Sequence, residues 1–209
     1  VQIILASASP ARLGVLRAAG LDPSVEVSEV DEDAVLATLR GAPPAKVVNA
    51  LACAKAATVG QRIGPTVADA VVIGCDSMLS IDGQLVGKPG TAARARQRWA
   101  AMAGRTGELV TGHAVLRLGG GAVEKVASRH ATTAVRFGRP SEAELDAYLA
   151  SGEPLNVAGA FTLDGLGGWF VEGIDGDPSN VIGISLPLTR ALLTEVGVQV
   201  TDLWRTGIA

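Results

Sequence analysis

Aromatic side chains are scarce in this chain, with 3 phenylalanines, 1 tyrosine and 3 tryptophans among 209 residues. A core built without them rests on aliphatic packing, and an apolar content of 48% with 26 glycines describes a compact α/β protein rather than a disordered or fibrous one. The length suits one large domain or two closely packed lobes, and one folding unit is expected. Cysteine is equally sparse. Cys53 and Cys75 have neither the paired spacing of a zinc site nor the numbers of a disulfide framework, so both are read as buried thiols in a reducing compartment, and a cytoplasmic location is expected. His113 and His130 fall on strand-like runs without a His-Glu-x-x-His helix or clustered cysteines, which argues for structural roles and against a zinc centre. Positive charge is not in excess either. A formal net charge of −3 argues against general nucleic-acid binding, which draws its affinity from broad basic surfaces. No apolar run approaches the ~20 residues of a membrane span, and no secretory leader pattern is present.

Several familiar motifs are missing as well. Gly83 to Lys88 lacks the loop length and Ser/Thr of a Walker A motif, and Gly165-Leu166-Gly167-Gly168 lacks the preceding strand and following acid of a dinucleotide fingerprint. No Gly-x-Ser-x-Gly elbow offers a hydrolase nucleophile.

What is present begins at the N-terminus. An apolar strand from Val1 to Ala6 runs into Ser7-Ala8-Ser9-Pro10-Ala11-Arg12, where Ser9 has the side chain of an N-cap and Pro10 suits the first helical position. Free N–H groups at that helix start, with the Ser7 and Ser9 hydroxyls and the Arg12 guanidinium, would hold a phosphate from several sides. The same features also describe an ordinary capped helix with a surface arginine. Leu13 and Leu16 give this helix its buried stripe, and Gly20 stops it before a short strand near Val25 and Val27, a β-α-β opening.

Pro43-Pro44 opens a second helix on which Val48, Leu51, Ala52, Lys55 and Val59 share a face. Val67 to Cys75 reads as a strand covered on both faces and ending at Asp76, followed by a hairpin around Asp82-Gly83 whose return arm leads into Gly87-Lys88-Pro89. Thr91 caps a helix that buries Ala95, Trp99 and Met102 and turns Arg94, Arg96 and Arg98 mostly to solvent. Two long strand-like runs, Leu109 to Leu118 and Val123 to Phe137, join across three glycines. Ser141 and Glu144 form a capping box, a glycine-rich loop region follows to Gly183, and a last helix begins near Pro187.

Chemistry concentrates in a few positions. Asp76 at the carboxyl end of a buried strand occupies the edge where open α/β sheets place their ligands, although an aspartate there can also simply cap a turn. Lys55 on an apolar stripe needs an anion or a snorkelling route to water, and the hairpin points Lys88 back toward the sheet end. Asp31-Glu32 reads as a solvated loop or helix start. If that loop lies beside the first strand's end, Glu32 and Asp76 together offer the hard oxygen ligands that Mg²⁺ uses when it bridges carboxylates to phosphates.

Taken in order, Leu5 through Arg12, Val30-Asp31-Glu32, Ala54-Lys55-Ala56, Ile73 through Ser77, Gly87-Lys88-Pro89 and Gly152-Glu153-Pro154-Leu155 resemble the Maf family. Ala158 through Phe161, Gly165 through Gly168 and Asn180 through Gly183 continue the likeness over nearly the whole chain. The resemblance implies a nucleoside triphosphate pyrophosphatase that cleaves between the α- and β-phosphates with a divalent metal, Mg²⁺ or Mn²⁺, and house-cleaning of non-standard nucleotides as its service. It implies a two-lobed α/β fold with a mixed β-sheet flanked by helices, similar to inosine triphosphate pyrophosphatase, with the site in the cleft between lobes. It further implies Asp76 as proton acceptor, Glu32 and Asp76 as metal-binding carboxylates, and Ser7, Ser9, Arg12, Lys55 and Lys88 on the phosphate side. The domain expected is 1–204, with 205–209 as a tail, and a homodimer is the implied assembly.

The chain also departs from the family pattern. Ala11 replaces the first of two arginines, Val157 replaces a lysine, and Ile184-Ser185-Leu186-Pro187 is one residue longer than usual. Base specificity in the family is associated with the positions held by Ala11, Ser77 and Asp164, which match neither the pyrimidine nor the 7-methyl-GTP pattern. The alternative is a nucleotide-responsive regulatory protein linked to septum formation, in which hydrolysis is incidental.

Overall fold

The structure, a computed structural model, describes residues 1–205. In chain order these form β1 (Gln2–Leu5), α1 (Pro10–Ala18), β2 (Ser24–Val25), α2 (Glu32–Ala37), α3 (Pro44–Ile63), β3 (Asp69–Ile81), β4 (Gln84–Val86), α4 (Ala92–Met102), β5 (Thr106–Gly119), β6 (Ala122–Phe137), α5 (Glu142–Ala150), β7 (Val171–Asp175), α6 (Pro178–Ile182) and α7 (Leu186–Glu195). Hydrogen-bonded strand order is β2-β1-β3-β5-β6-β7, with β4 added to β3. Parallel and antiparallel pairs both occur, so the fold is mixed α/β. The chain divides into two compact units, the first comprising Val1–Asp76, Thr111–Ala131 and the segment from Gly183, the second Ser77–Val110 and Thr132–Ile182. The expected tail is described only at Arg205, whose N–H donates to the Gly20 carbonyl at 2.8 Å; 206–209 lie outside the described residues.

In the first unit, β1 pairs in parallel with both β2 and β3, Leu5 standing opposite Val25 and Ile73. Parallel neighbours need crossover connections, and helices in those connections cover both faces, which is why β1 and β3 bury apolar residues in both parities. Ile3, Leu5, Val71, Ile73 and Cys75 pack with Leu16 of α1 and Leu192 and Leu193 of α7. Ile4, Ala6, Ala70 and Val72 turn the other way, onto Ala52, Ala56 and Val59 of α3.

Small residues let α3 come very close to the sheet. A Cβ on Gly74 would lie 2.4 Å from the Ala52 carbonyl oxygen and 2.9 Å from the Ala56 nitrogen. Backbone on both sides cannot step aside. Gly74→Ala is therefore expected to destabilise the protein by about 2 kcal/mol, the scale of overpacking a tight core, read as a lowered urea midpoint.

The second unit gathers five of the seven aromatics, Trp99, Phe137, Tyr148, Phe161 and Phe170, into one cluster. Trp99 meets Phe137, Tyr148 and Phe170 edge-on, Phe137 meets Phe161 likewise, and the Trp99 indole N–H donates to the Ala160 carbonyl at 2.9 Å. Scarcity in composition thus conceals a local aromatic core. The hairpin forms as expected, with Ile81 opposite Gln84 and positive φ at both Asp82 and Gly83, the requirement of a tight Asp-Gly turn. Thr91 and Ser141 cap α4 and α5, the latter with both halves of its capping box.

Four expectations need correction. The strand expected to stop at Asp76 continues unbroken to Ile81, because the first hairpin arm extends the same strand. Val27 lies outside β2. The glycine-rich stretch contains β7, antiparallel to β6, and the short helix α6; periodicity over five residues was too brief to reveal either. Cys53 is half-buried, unlike Cys75. The arginines on α4 stay off its buried face as expected: Arg94 is exposed, Arg96 pairs at the surface with Glu142 at 3.1 Å and with Asp146, and half-buried Arg98 donates to the Gly87 and Lys88 carbonyls. Their partners come from elements distant in sequence, invisible to helical periodicity.

Candidate active site

The β1–α1 junction folds as its sequence indicates. Ser9 caps α1 by accepting from the Arg12 N–H at 3.4 Å, and Pro10 takes the first helical position. Ser7, itself buried, accepts from the Ser9 N–H at 3.2 Å. The Arg12 guanidinium donates through Nη1 to the Ser7 hydroxyl and the Cys75 carbonyl, both at 3.0 Å, and through Nε to the Gly183 carbonyl at 2.8 Å. A planar fork holding three acceptors makes Arg12 an organiser of the junction, a role its sequence context did not announce.

Asp76 and Lys55 meet through strand and helix periodicity. Side chains at 70, 72, 74 and 76 share one face of β3, and Ala70 and Val72 there pack on α3. Lys55 lies between Ala52 and Ala56 on that helix, so the close approach at Gly74 brings its ammonium to the strand. Lys55 Nζ donates to Asp76 Oδ1 at 2.6 Å and lies 2.8 Å from Glu32 Oε1. The Lys55 and Asp76 side chains are each 11% exposed, whereas Glu32 is 50% exposed. Glu32 arrives as the first residue of α2, which Asp31 caps by accepting from the Ala34 N–H at 2.9 Å, so the helix-start reading of the acidic cluster holds. A buried ammonium is tolerable here because two carboxylates compensate it.

Among the described residues, no group of three or more His, Cys, Asp or Glu side chains converges as a ready-made metal cage. The donor chemistry still fits a hard divalent cation. Mg²⁺ commonly takes one or two carboxylates and fills its remaining positions with water and substrate phosphate oxygens, and Glu32 and Asp76 are such a pair.

The remaining expected residues are placed as follows. Lys88 is exposed in the second unit, two residues beyond the paired arm of β4, and Arg98 braces the turn that presents it. Ala11 is half-buried in the first turn of α1, Ser77 half-buried on β3, and Asp164 exposed on the loop after Phe161. His113 is fully buried and structural: its Nε2 accepts from the Ser185 N–H at 2.8 Å, which leaves Nδ1 to donate to the Thr111 carbonyl at 3.1 Å. Ser185, inside the lengthened block, also caps α7.

The family model described as Maf-like protein matches residues 2–196. The chain belongs to the Maf family. Its Maf relatives include proteins named nucleoside triphosphate pyrophosphatase from Saccharopolyspora erythraea, 61% identical with both chains wholly covered, and from Nocardia farcinica, 65% identical over 97% of this chain and 96% of the relative. A third of that name, from Rhodococcus erythropolis, is 62% identical over 98% of this chain and 97% of the relative. The Maf family implies a divalent metal. No helix among the described residues is long and apolar enough to cross a membrane.

One cysteine of this Maf protein adjoins the site. Burial pushes the Cys75 thiol up to about 11, with Asp76 adding to the rise and Arg12 and Lys55 opposing it. A neutral, enclosed thiol is a poor nucleophile. At pH 8, Cys75 is expected to resist a thiol reagent until the protein unfolds, while half-buried Cys53 labels first; peptide mapping after timed labelling reads the order.

Proposed function

We propose that this chain hydrolyses nucleoside triphosphates to nucleoside monophosphate and pyrophosphate, as one Maf-like domain over 1–204. The observation that carries the reading is the Lys55 ammonium held 2.6 Å from Asp76 and 2.8 Å from Glu32, in a chain so similar to relatives named for this activity. A water attacks the α-phosphorus, the bond from that phosphorus to the bridging oxygen breaks, and pyrophosphate leaves. Asp76 orients the water and accepts its proton. Lys55 keeps both carboxylates aimed and, with Arg12 and Lys88, offsets the negative charge of the phosphate tail. The Ser7 and Ser9 hydroxyls and the first N–H groups of α1 add phosphate-side donors. A divalent cation, Mg²⁺ or Mn²⁺ in this reading, would be held by Glu32 and Asp76 and supplies charge neutralisation at the phosphate oxygens when bound. Ala11, Ser77 and Asp164 are the positions assigned to base choice.

The deciding experiment is a panel of nucleoside triphosphates assayed for pyrophosphate and monophosphate with Mg²⁺, with Mn²⁺ and with EDTA. The two products in equal amounts, abolished by EDTA, are expected. Release of orthophosphate and diphosphate instead would overturn the assigned bond, and undiminished turnover in EDTA would remove the metal.

A further inference from the structure

A loop in the second unit closes around the Glu153 carboxylate, to which no role has been given above. Glu153 Oε1 accepts from the Gly167 N–H at 3.0 Å and from the Thr162 hydroxyl, and Oε2 accepts from the Leu166 N–H at 3.0 Å. The Thr162 hydroxyl oxygen takes a further bond from the Gly167 N–H at 3.2 Å. The wrapping is too close for side chains at two points. A Cβ on Gly165 would lie 2.7 Å from Glu153 Oε2, and one on Gly167 would lie 2.5 Å from the Tyr148 hydroxyl. The Gly165-Leu166-Gly167-Gly168 block, unexplained as a nucleotide fingerprint, is thus the sequence trace of a loop folded onto Glu153.

Burial alone would raise the Glu153 carboxyl, but the donors from Thr162, Leu166 and Gly167 outweigh it and hold the group below its ordinary value. A depressed carboxyl contributes fully above the unfolded glutamate value, about 4.3, and loses its contribution as pH falls through the lower folded one. The clamp is therefore charged and closed throughout the neutral range. Within its span, between Thr162 and Leu166, stands the exposed Asp164. A loop residue whose neighbours are tied on both sides presents its side chain from far fewer backbone states than a free one.

We propose that Glu153 is a positioning residue for nucleobase choice: its carboxylate locks the Thr162–Gly167 turn and so fixes where the Asp164 carboxylate meets the base, an inference that rests on the base-choice reading of Asp164. A fixed carboxylate discriminates by the N–H donors a base edge presents, and loses that discrimination once it wanders.

The test measures kcat and KM for a set of nucleoside triphosphates with the full chain, comparing wild type with Glu153→Ala, Glu153→Gln, Thr162→Val, Asp164→Ala and the Glu153→Ala/Asp164→Ala double variant. Glu153→Ala is expected to compress the ratio of kcat/KM between best and worst base by about 10-fold, chiefly through KM, and to speed hydrogen exchange at the Leu166 and Gly167 amides. Glu153→Gln and Thr162→Val move the ratio the same way by less, and carry the test if Glu153→Ala does not fold. Asp164→Ala shifts the ratio itself, and adding Glu153→Ala shifts it no further, the mark of two residues acting as one unit. An unchanged ratio in the Glu153 and Thr162 variants beside a shifted one in Asp164→Ala overturns the positioning role alone. An unchanged ratio in Asp164→Ala overturns it together with the assignment of Asp164. Equal loss on every base reduces Glu153 to a residue of general stability and overturns it too.

Discussion

Asp76→Asn is expected to lower turnover by at least ~10²-fold while leaving the fold intact. Asparagine keeps the size of the side chain and one oxygen to accept from Lys55, so packing on the α3 face of β3 survives. Lys55 also retains Glu32 at 2.8 Å and is not left without a counter-charge. What disappears is the negative charge and the basicity that take a proton from the attacking water. Circular dichroism and the urea midpoint report the fold, and single-turnover release of pyrophosphate reports the chemistry. A variant that melts like wild type and turns over at nearly the wild-type rate would take Asp76 out of the mechanism.

Lys55→Met carries the second large effect, on stability as well as rate. Methionine fills the space of the aliphatic stem, but it leaves the Asp76 carboxylate, 11% exposed, without the ammonium now 2.6 Å away. Removing one partner of an enclosed pair costs about 3 kcal/mol, because the survivor stays desolvated and uncompensated. The half-exposed Glu32 turns to water and adds little to that cost. In a double-mutant cycle, Lys55→Met/Asp76→Asn is expected to be less destabilised than the two single variants sum to, by more than about 1 kcal/mol. Strict additivity in urea denaturation would show that the pair contributes nothing as a pair.

Local signals carried far in this chain because each was closed within a few residues. Ser9 before Pro10, Thr91, the Ser141 capping box and the Asp82-Gly83 turn all formed as read, since a cap or tight turn satisfies its own hydrogen bonds nearby. The stripe from Val48 to Val59 gave both the helix and the oddity of Lys55 upon it. The end of β3 is not local in this way. Asp76 interrupts an apolar run, yet the strand continues because its next residues pair with β4, a partner that lies beyond the turn.

Local periodicity and side-chain chemistry determined the principal helices and strands, the buried stripes and the small set of charged residues out of place on them. Tertiary structure alone decided which of those charges meet. That Lys55 lies between Asp76 and Glu32 and that Arg12 donates to Cys75 and Gly183 depends on segments remote in sequence, and that Glu153 gathers Thr162, Leu166 and Gly167 depends on a loop folding back from 9 to 14 residues on. Periodicity records which face of an element is buried, but a hydrogen bond is settled within a few tenths of an ångström, by how closely α3 lies on β3 or how a glycine loop folds back upon one carboxylate.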